Sequence, residues 1–140
     1  MTPQEMAAVH RDCFPHRSWS ADEIEALARQ AGAHVLLSGD HRGFLVARAV
    51  LDEAELLTIA VAPAARRGGV ARALLMQLSQ QLQRSGLTEL FLEVGVNNHP
   101  AMTLYDGLGF VVTGTRPAYY TSADGGAEDA VLMRAALPLG

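Results

Sequence analysis

The chain has 140 residues, 49% hydrophobic and 19% charged, with a formal charge of −4, the make-up of one globular domain spanning 1–140 and not of a disordered segment. No apolar run approaches the roughly 18 residues that span a bilayer, the first residues lack the apolar stretch of a secretory signal, and the acidic balance argues against direct binding to nucleic acid or membrane. Cys13 is the single cysteine, so no internal disulfide forms and a reducing, cytoplasmic setting is expected.

Thr2-Pro3-Gln4-Glu5 has the form of a capping box with Pro at the first helical position, so a helix is predicted almost at the start. Ser20-Ala21-Asp22-Glu23 repeats the signature and opens a second helix running to about Ala31, before Gly32. Between them, the Pro15-containing stretch from Cys13 to Trp19 reads as a loop. Three strands follow, over His34–Ser38, Gly43–Leu51 and Glu55–Val61, the last halted by Pro63. Their short connections predict an antiparallel meander.

Val70–Ser85 is the clearest helix: Val70, Leu74, Leu78 and Leu82 recur at four-residue steps, and Gly86 supplies the stop. Glu89–Val94 alternates as a strand, with Leu90, Leu92 and Val94 on one face and Phe91 and Glu93 on the other. Pro100–Leu108 reads as a short helix. Phe110–Arg116 and Ala130–Ala136 read as a closing pair of strands, joined by a long loop holding Tyr119, Tyr120 and Gly125-Gly126. A strand, a Gly-rich turn, a helix and a strand in the middle of this string make one right-handed crossover inside an otherwise antiparallel sheet. The fold class is α/β with a mixed sheet.

The turn Arg66-Arg67-Gly68-Gly69-Val70-Ala71 lies between a strand and a helix, and with Arg72 it holds three of the 11 cationic residues. Four backbone N–H groups at a helix start lack internal partners, and the dipole adds partial positive charge there. Glycine lets a phosphate approach closely, and flanking arginines add fixed charge. The segment lacks the Lys and Ser/Thr of a triphosphate loop and the GxGxxG of a dinucleotide site. It resembles the [QR]xxGx[GA] signature of the GNAT superfamily of N-acetyltransferases, met as Arg66, Gly69 and Ala71. Asn97-Asn98-His99-Pro100-Ala101 and Leu104-Tyr105-Asp106-Gly107-Leu108-Gly109-Phe110 resemble the N-x-x-A and L-Y-x-x-x-G-F segments of the same superfamily, in the same order.

The resemblance implies a mixed, mostly antiparallel sheet flanked by helices, in which the strands ending at Val61 and near Val94 run parallel and splay apart. It further implies that acetyl-CoA lies in that cleft, its pyrophosphate on Arg66, Arg67, Gly68, Gly69, Ala71 and Arg72. The backbone of Ile59 and Val61 would bind the pantetheine, and the amide of Asn98 the opposite side. Val50-Leu51-Asp52-Glu53-Ala54-Glu55-Leu56, Leu92-Glu93-Val94, Tyr119-Tyr120 and the split Phe14-Pro15…Trp19-Ser20 resemble the RimI group, whose members acetylate the N-terminal alanine of a ribosomal protein. Three residues are inserted in that last motif. Gly95 stands where the group carries a charged residue, and Thr2-Pro3 enters a helix where a strand is usual. Loss of that edge strand would bare backbone groups that a partner chain could cover, and a monomer or weak homodimer is expected.

Within this resemblance Glu93 is the candidate general base, near the end of a splayed strand, and Tyr105 the candidate general acid for the coenzyme A thiolate. A phenol of pKa about 10 holds its proton where a thiol of about 8.5 releases one. Trp19, Tyr119 and Tyr120 are expected to wall a peptide groove. Deprotonating an α-amine at pH 7 costs about 1 kcal/mol, against about 4.6 kcal/mol for a lysine, so a single carboxylate suits a protein N terminus better. A small amine such as a polyamine or aminoglycoside is the rival acceptor, and a non-catalytic acyl-CoA sensor the rival role. The five histidines show no metal-ligand spacing. Helical spacing puts His10 and Cys13 on one side, but no third orienting group accompanies them, and Cys13 is expected as buried structural cysteine.

Overall fold

The structure, a computed structural model, describes residues 1–121 and 126–140. Both capping boxes form. Helix α1, Pro3–Cys13, starts with the Glu5 N–H donating to Thr2 Oγ1 at 3.1 Å and the Thr2 N–H donating to Glu5 Oε1 at 3.0 Å. Helix α2, Ala21–Ala28, repeats the arrangement with Ser20 and Glu23. It ends three residues before the sequence-based expectation. The Gln30 N–H turns to the Leu27 carbonyl and the Ala33 N–H to that of Gln30, so the last turn tightens and breaks. Gly32 then adopts φ +79°, and a Cβ there would sit 2.0 Å from the Ala49 carbonyl oxygen, a position no other residue can hold.

Among the described residues six strands form one sheet: β1 Ala33–Leu37, β2 Gly43–Val50, β3 Glu53–Val61, β4 Glu89–Gly95, β5 Val111–Thr121 and β6 Ala127–Ala136, ordered β1-β2-β3-β4-β6-β5. Among the described residues only β3 and β4 pair in parallel, across the crossover helix α3, Val70–Arg84. Helix α4, His99–Gly107, follows β4. Tyr119 and Tyr120 belong to β5 and not to the long loop in which they were expected, although Pro117 precedes them. The pairing of β5 with β6 absorbs that proline by an irregularity between Arg116 and Tyr120, where Ala118 takes φ +53° and its N–H donates to Asp129 Oδ1 at 2.8 Å. As an edge strand β5 tolerates the lost donor. Gly125, assigned to the same loop, lies outside the described residues.

The sheet separates two apolar layers. Leu74, Leu75, Leu78 and Leu82 of α3 bury against Leu90, Leu92 and Val94 of β4, as the helical and strand periodicities require. On the opposite face Met6 of α1 and Ile24 of α2 cover Phe44, Val46 and Ala60. Phe91 and Glu93 therefore face the α1–α2 side. Among the described residues no helix is long and apolar enough to cross a membrane.

Candidate active site

The site begins with one extra residue. Val46 pairs with Thr58 and Ala47 with Leu56, which leaves Leu57 without a partner on β2. Such a bulge bends its strand and strengthens the local twist. The parallel ladder to β4 stops at that point: its pairs are Ala54–Leu90, Glu55–Phe91 and Leu56–Leu92, although β3 continues to Val61 and β4 to Gly95. Beyond Leu56 the strands part.

The ladder's phase decides what faces the gap. The Ala62 N–H bonds the Arg42 carbonyl at 2.7 Å, so Phe44–Ala60 and Val46–Thr58 share that bonded phase. Ile59 and Val61 consequently turn their N–H and C=O groups away from β2 and towards β4. The Val61 carbonyl is taken up within the protein: it accepts the Cys13 thiol at 3.2 Å and Arg66 Nε–H at 3.4 Å. Cys13 is thus half-buried, packed on the edge of the α1–α2 side core and lining the cleft, because α1 ends against the last residue of β3.

After β3, a 3₁₀ turn over Pro63–Ala65 leads to Arg67 at φ +68° and Gly69 at φ +78°, and α3 starts there without any side-chain cap. Among the described residues no acceptor reaches the backbone N–H groups of Gly68, Gly69, Val70, Ala71 or Arg72. The free amides and the helix dipole make an anion cradle. Arg67, Gly69, Ala71 and Arg72 line the cleft beside it; Gly68 is in the turn but not in the lining. Arg66 lines it too, with its guanidinium drawn back onto Val61 and Cys13 Sγ. The cleft encloses about 1210 Å³, above the usual range for a drug-sized ligand.

A second cavity, of about 390 Å³, lies on the α1–α2 side. Glu93, Trp19, Tyr119 and Tyr120 line it, as do His10, marked in the sequence only for its place beside Cys13, and Thr58, which the sequence had not marked. Asn98, Tyr105, Ile59, Phe14 and Arg17 line both cavities, so the two meet at the splay. Asn98 serves as the N-cap of α4: its Oδ1 accepts the Ala101 N–H at 3.3 Å, which leaves the amide NH₂ as its donor.

Glu93 Oε1 meets Arg116 at 3.1 Å. Burial pushes the Tyr105 hydroxyl well above the usual phenol range. The Tyr120 hydroxyl is raised as well, first by burial and then by the charge of Glu93. Tyr119 and Tyr120 meet edge to face at 5.0 Å, and the guanidiniums of Arg116 and Arg17 lie over their rings at 5.3 and 4.2 Å. The aromatic wall is therefore built on two cations. Trp19 stacks on the His10 ring at 4.9 Å.

Arg17 also reaches Glu128, at 3.7 Å. This buried carboxylate accepts the Asn97 N–H at 2.7 Å and fills the space over Gly95, where a Cβ would lie 2.6 Å from Oε2. Gly95, odd in the sequence because a charged residue was expected, gives up its side chain to a carboxylate from β6. The cation comes from the three-residue insertion after Pro15. No sequence pattern linked Arg17, Gly95 and Glu128; the only hints were the insertion and the misplaced glycine. For His10 and Cys13 the signal was their shared face on α1. Among the described residues no His, Cys, Asp and Glu cluster is arranged for a metal ion.

Residues 4–110 match the model of the acetyltransferase (GNAT) family. The chain is 43% identical over 102 residues to a [ribosomal protein bS18]-alanine N-acetyltransferase of Escherichia coli, covering 73% of this chain and 67% of that protein. The same identity extends over 123 residues of the Salmonella typhimurium counterpart, covering 86% of this chain and 81% of that one. Among solved structures, the ribosomal-protein-S18-alanine N-acetyltransferase from Escherichia coli superposes with a TM-score of 0.83 at 33% identity, over 100% of this chain and 92% of that one. Ard1 from Thermoplasma volcanium gives 0.80 at 26%, over 98% and 94%.

Proposed function

This chain belongs to the GNAT family of acetyltransferases, and from that premise we propose that it moves the acetyl group of acetyl-CoA to the α-amine of a protein N terminus, the N-terminal alanine of ribosomal protein bS18. The observation that carries this reading is the meeting of two cavities at the β3–β4 splay, one with an anion cradle and the other with a carboxylate and an aromatic wall. Acetyl-CoA supplies a thioester carbonyl as electrophile and a thiolate as leaving group. Its diphosphate fits the open amides of Gly68–Arg72 with Arg67 and Arg72 beside them, and the cleft's volume of about 1210 Å³ leaves room for the pantetheine arm.

Glu93 acts as general base, taking a proton from the amine directly or through a water. The outward N–H groups of Ile59 and Val61 are the donors available to polarise the thioester oxygen. Tyr105, shared by both cavities, hydrogen-bonds the departing sulfur and gives it its proton. Burial that raises the phenol also raises a thiol in the same cleft. Donation is thus governed by the difference between the two groups and not by the phenol alone. Trp19, Tyr119 and Tyr120 hold the acceptor chain.

The test is thiol release from acetyl-CoA with an alanine-initiated bS18 peptide. Acetylation of that peptide, and none of an N-blocked, lysine-bearing one, is expected. Equal activity on the two, or activity confined to small amines, refutes the acceptor assignment.

A further inference from the structure

The second cavity contains a polar relay that the roles above leave unused. The buried His10 accepts the Trp19 N–H at its Nδ1, at 3.1 Å, and its Nε2 lies 3.1 Å from Thr58 Oγ1. A neutral imidazole has one N–H. With Nδ1 accepting, the proton sits on Nε2, and Nε2–H donates to the Thr58 oxygen. The opposite arrangement, with Thr58 donating, would leave the ring with no proton at all. The imidazolium would lose its acceptor for Trp19, and burial opposes it, lowering the His10 pKa to about 4. Arg17 disfavours the charge further and Glu23 only partly offsets that.

The consequence falls on Thr58. Its oxygen is already an acceptor for His10, so its O–H proton must be donated elsewhere. Among the described residues nothing takes it, and the side chain lines the cavity at the point where Leu57 bulges and β3 leaves β4. Glu93 lines the same cavity from the facing strand. An amine bound there gives a proton to Glu93 and keeps its lone pair for the thioester carbon, so it does not accept from Thr58. The next acceptor along a peptide N terminus is the carbonyl oxygen of its first residue.

We propose that Thr58 is an acceptor-binding residue, its hydroxyl held by His10 so that it donates to the first main-chain carbonyl of the incoming peptide. His10 is the positioning residue, and Trp19 ties it to the loop that walls the cavity. This rests on the peptide-acetyltransferase reading above and adds a contact that a small amine without a carbonyl cannot use.

Three enzymes are compared on the alanine-initiated peptide with acetyl-CoA: wild type, Thr58→Val and Thr58→Ser. Loss of one hydrogen bond raises KM for the peptide roughly five- to tenfold in Thr58→Val. KM for acetyl-CoA and kcat stay within about twofold, and Thr58→Ser recovers most of the loss. An unchanged peptide KM in Thr58→Val overturns the proposal, as does an equal rise in KM for acetyl-CoA or a serine variant that behaves like valine. Nitrogen-15 NMR of wild-type imidazoles gives an assay-free check: His10 must show a protonated Nε2, and a protonated Nδ1 overturns the relay. A wild-type enzyme that turns over other amines and not the peptide sinks the acceptor reading and this proposal with it, whereas an active wild type with an indifferent Thr58→Val sinks the proposal alone.

Discussion

Acidification offers a direct probe of the layer beneath α1. His10 is only 2% exposed, and burial followed by the Arg17 charge brings its pKa from 6.5 down to about 4. The folded protein therefore binds this proton less readily than the unfolded chain does. Stability from the neutral ring is fully present above pH 6.5 and is lost as pH falls from 6.5 towards 4, where it levels off. At about 1.36 kcal/mol for each pH unit, that interval amounts to about 3 kcal/mol of added acid sensitivity. Urea unfolding of wild type and His10→Gln at pH 7.5, 6.5, 5.5 and 4.5 isolates it, because every other titrating group is common to both. The wild-type advantage should shrink by about 2.5 kcal/mol across the series, whose lowest point stands just above the folded pKa. An advantage independent of pH would refute the assignment of His10 as a neutral, buried ring.

Glu93→Gln should lower kcat on the peptide about 10²- to 10³-fold, with far less change in KM, in a steady-state thiol-release assay. Gly95→Ala puts a methyl group into the Glu128 carboxylate and breaks its bond to the Asn97 N–H; thermal unfolding should show a loss of roughly 2 kcal/mol. Adding Glu128→Ala should return part of it. Leu51 is 95% exposed at φ +56°, in the turn between β2 and β3. A left-handed non-glycine residue costs about 1–2 kcal/mol, so Leu51→Gly should raise the melting temperature by a net gain of roughly 0.5 kcal/mol after glycine's entropy.

The parts of this molecule set by local chemistry were readable in advance. Thr2-Glu5 and Ser20-Glu23 fix helix starts within four residues, and the four-residue spacing of Val70 to Leu82 fixes which face of α3 is apolar. The glycine turn into α3 was equally readable because its elements adjoin: strand end, Gly68-Gly69, helix start. What distant residues decide was not readable. Leu57 looks like any strand residue, and only its register against Val46 and Ala47 makes it a bulge. Tyr119 and Tyr120 follow Pro117, a strand breaker by local rules, and become strand because β6 supplies partners and Asp129 accepts the Ala118 N–H. Arg17, Gly95 and Glu128 meet across more than a hundred positions of sequence. Cys13 sits between core and cleft because the carbonyl of Val61 is there to receive its thiol.

The unpaired Leu57 also sets a length requirement. Leu57 is the extra residue between the Leu56–Ala47 and Thr58–Val46 pairs, so deleting that single position would leave both pairs in register and turn the bulge into regular ladder. Thr58 would stay opposite Val46 and beside His10, but the bend that carries β3 away from β4 would be lost. The six strands could still assemble, but β3 and β4 would be free to zip together past Leu56 and shut the gap between them. Insertions and deletions in β3 should therefore destroy activity far out of proportion to any loss of solubility, making chain length in this stretch as strict a constraint as residue identity.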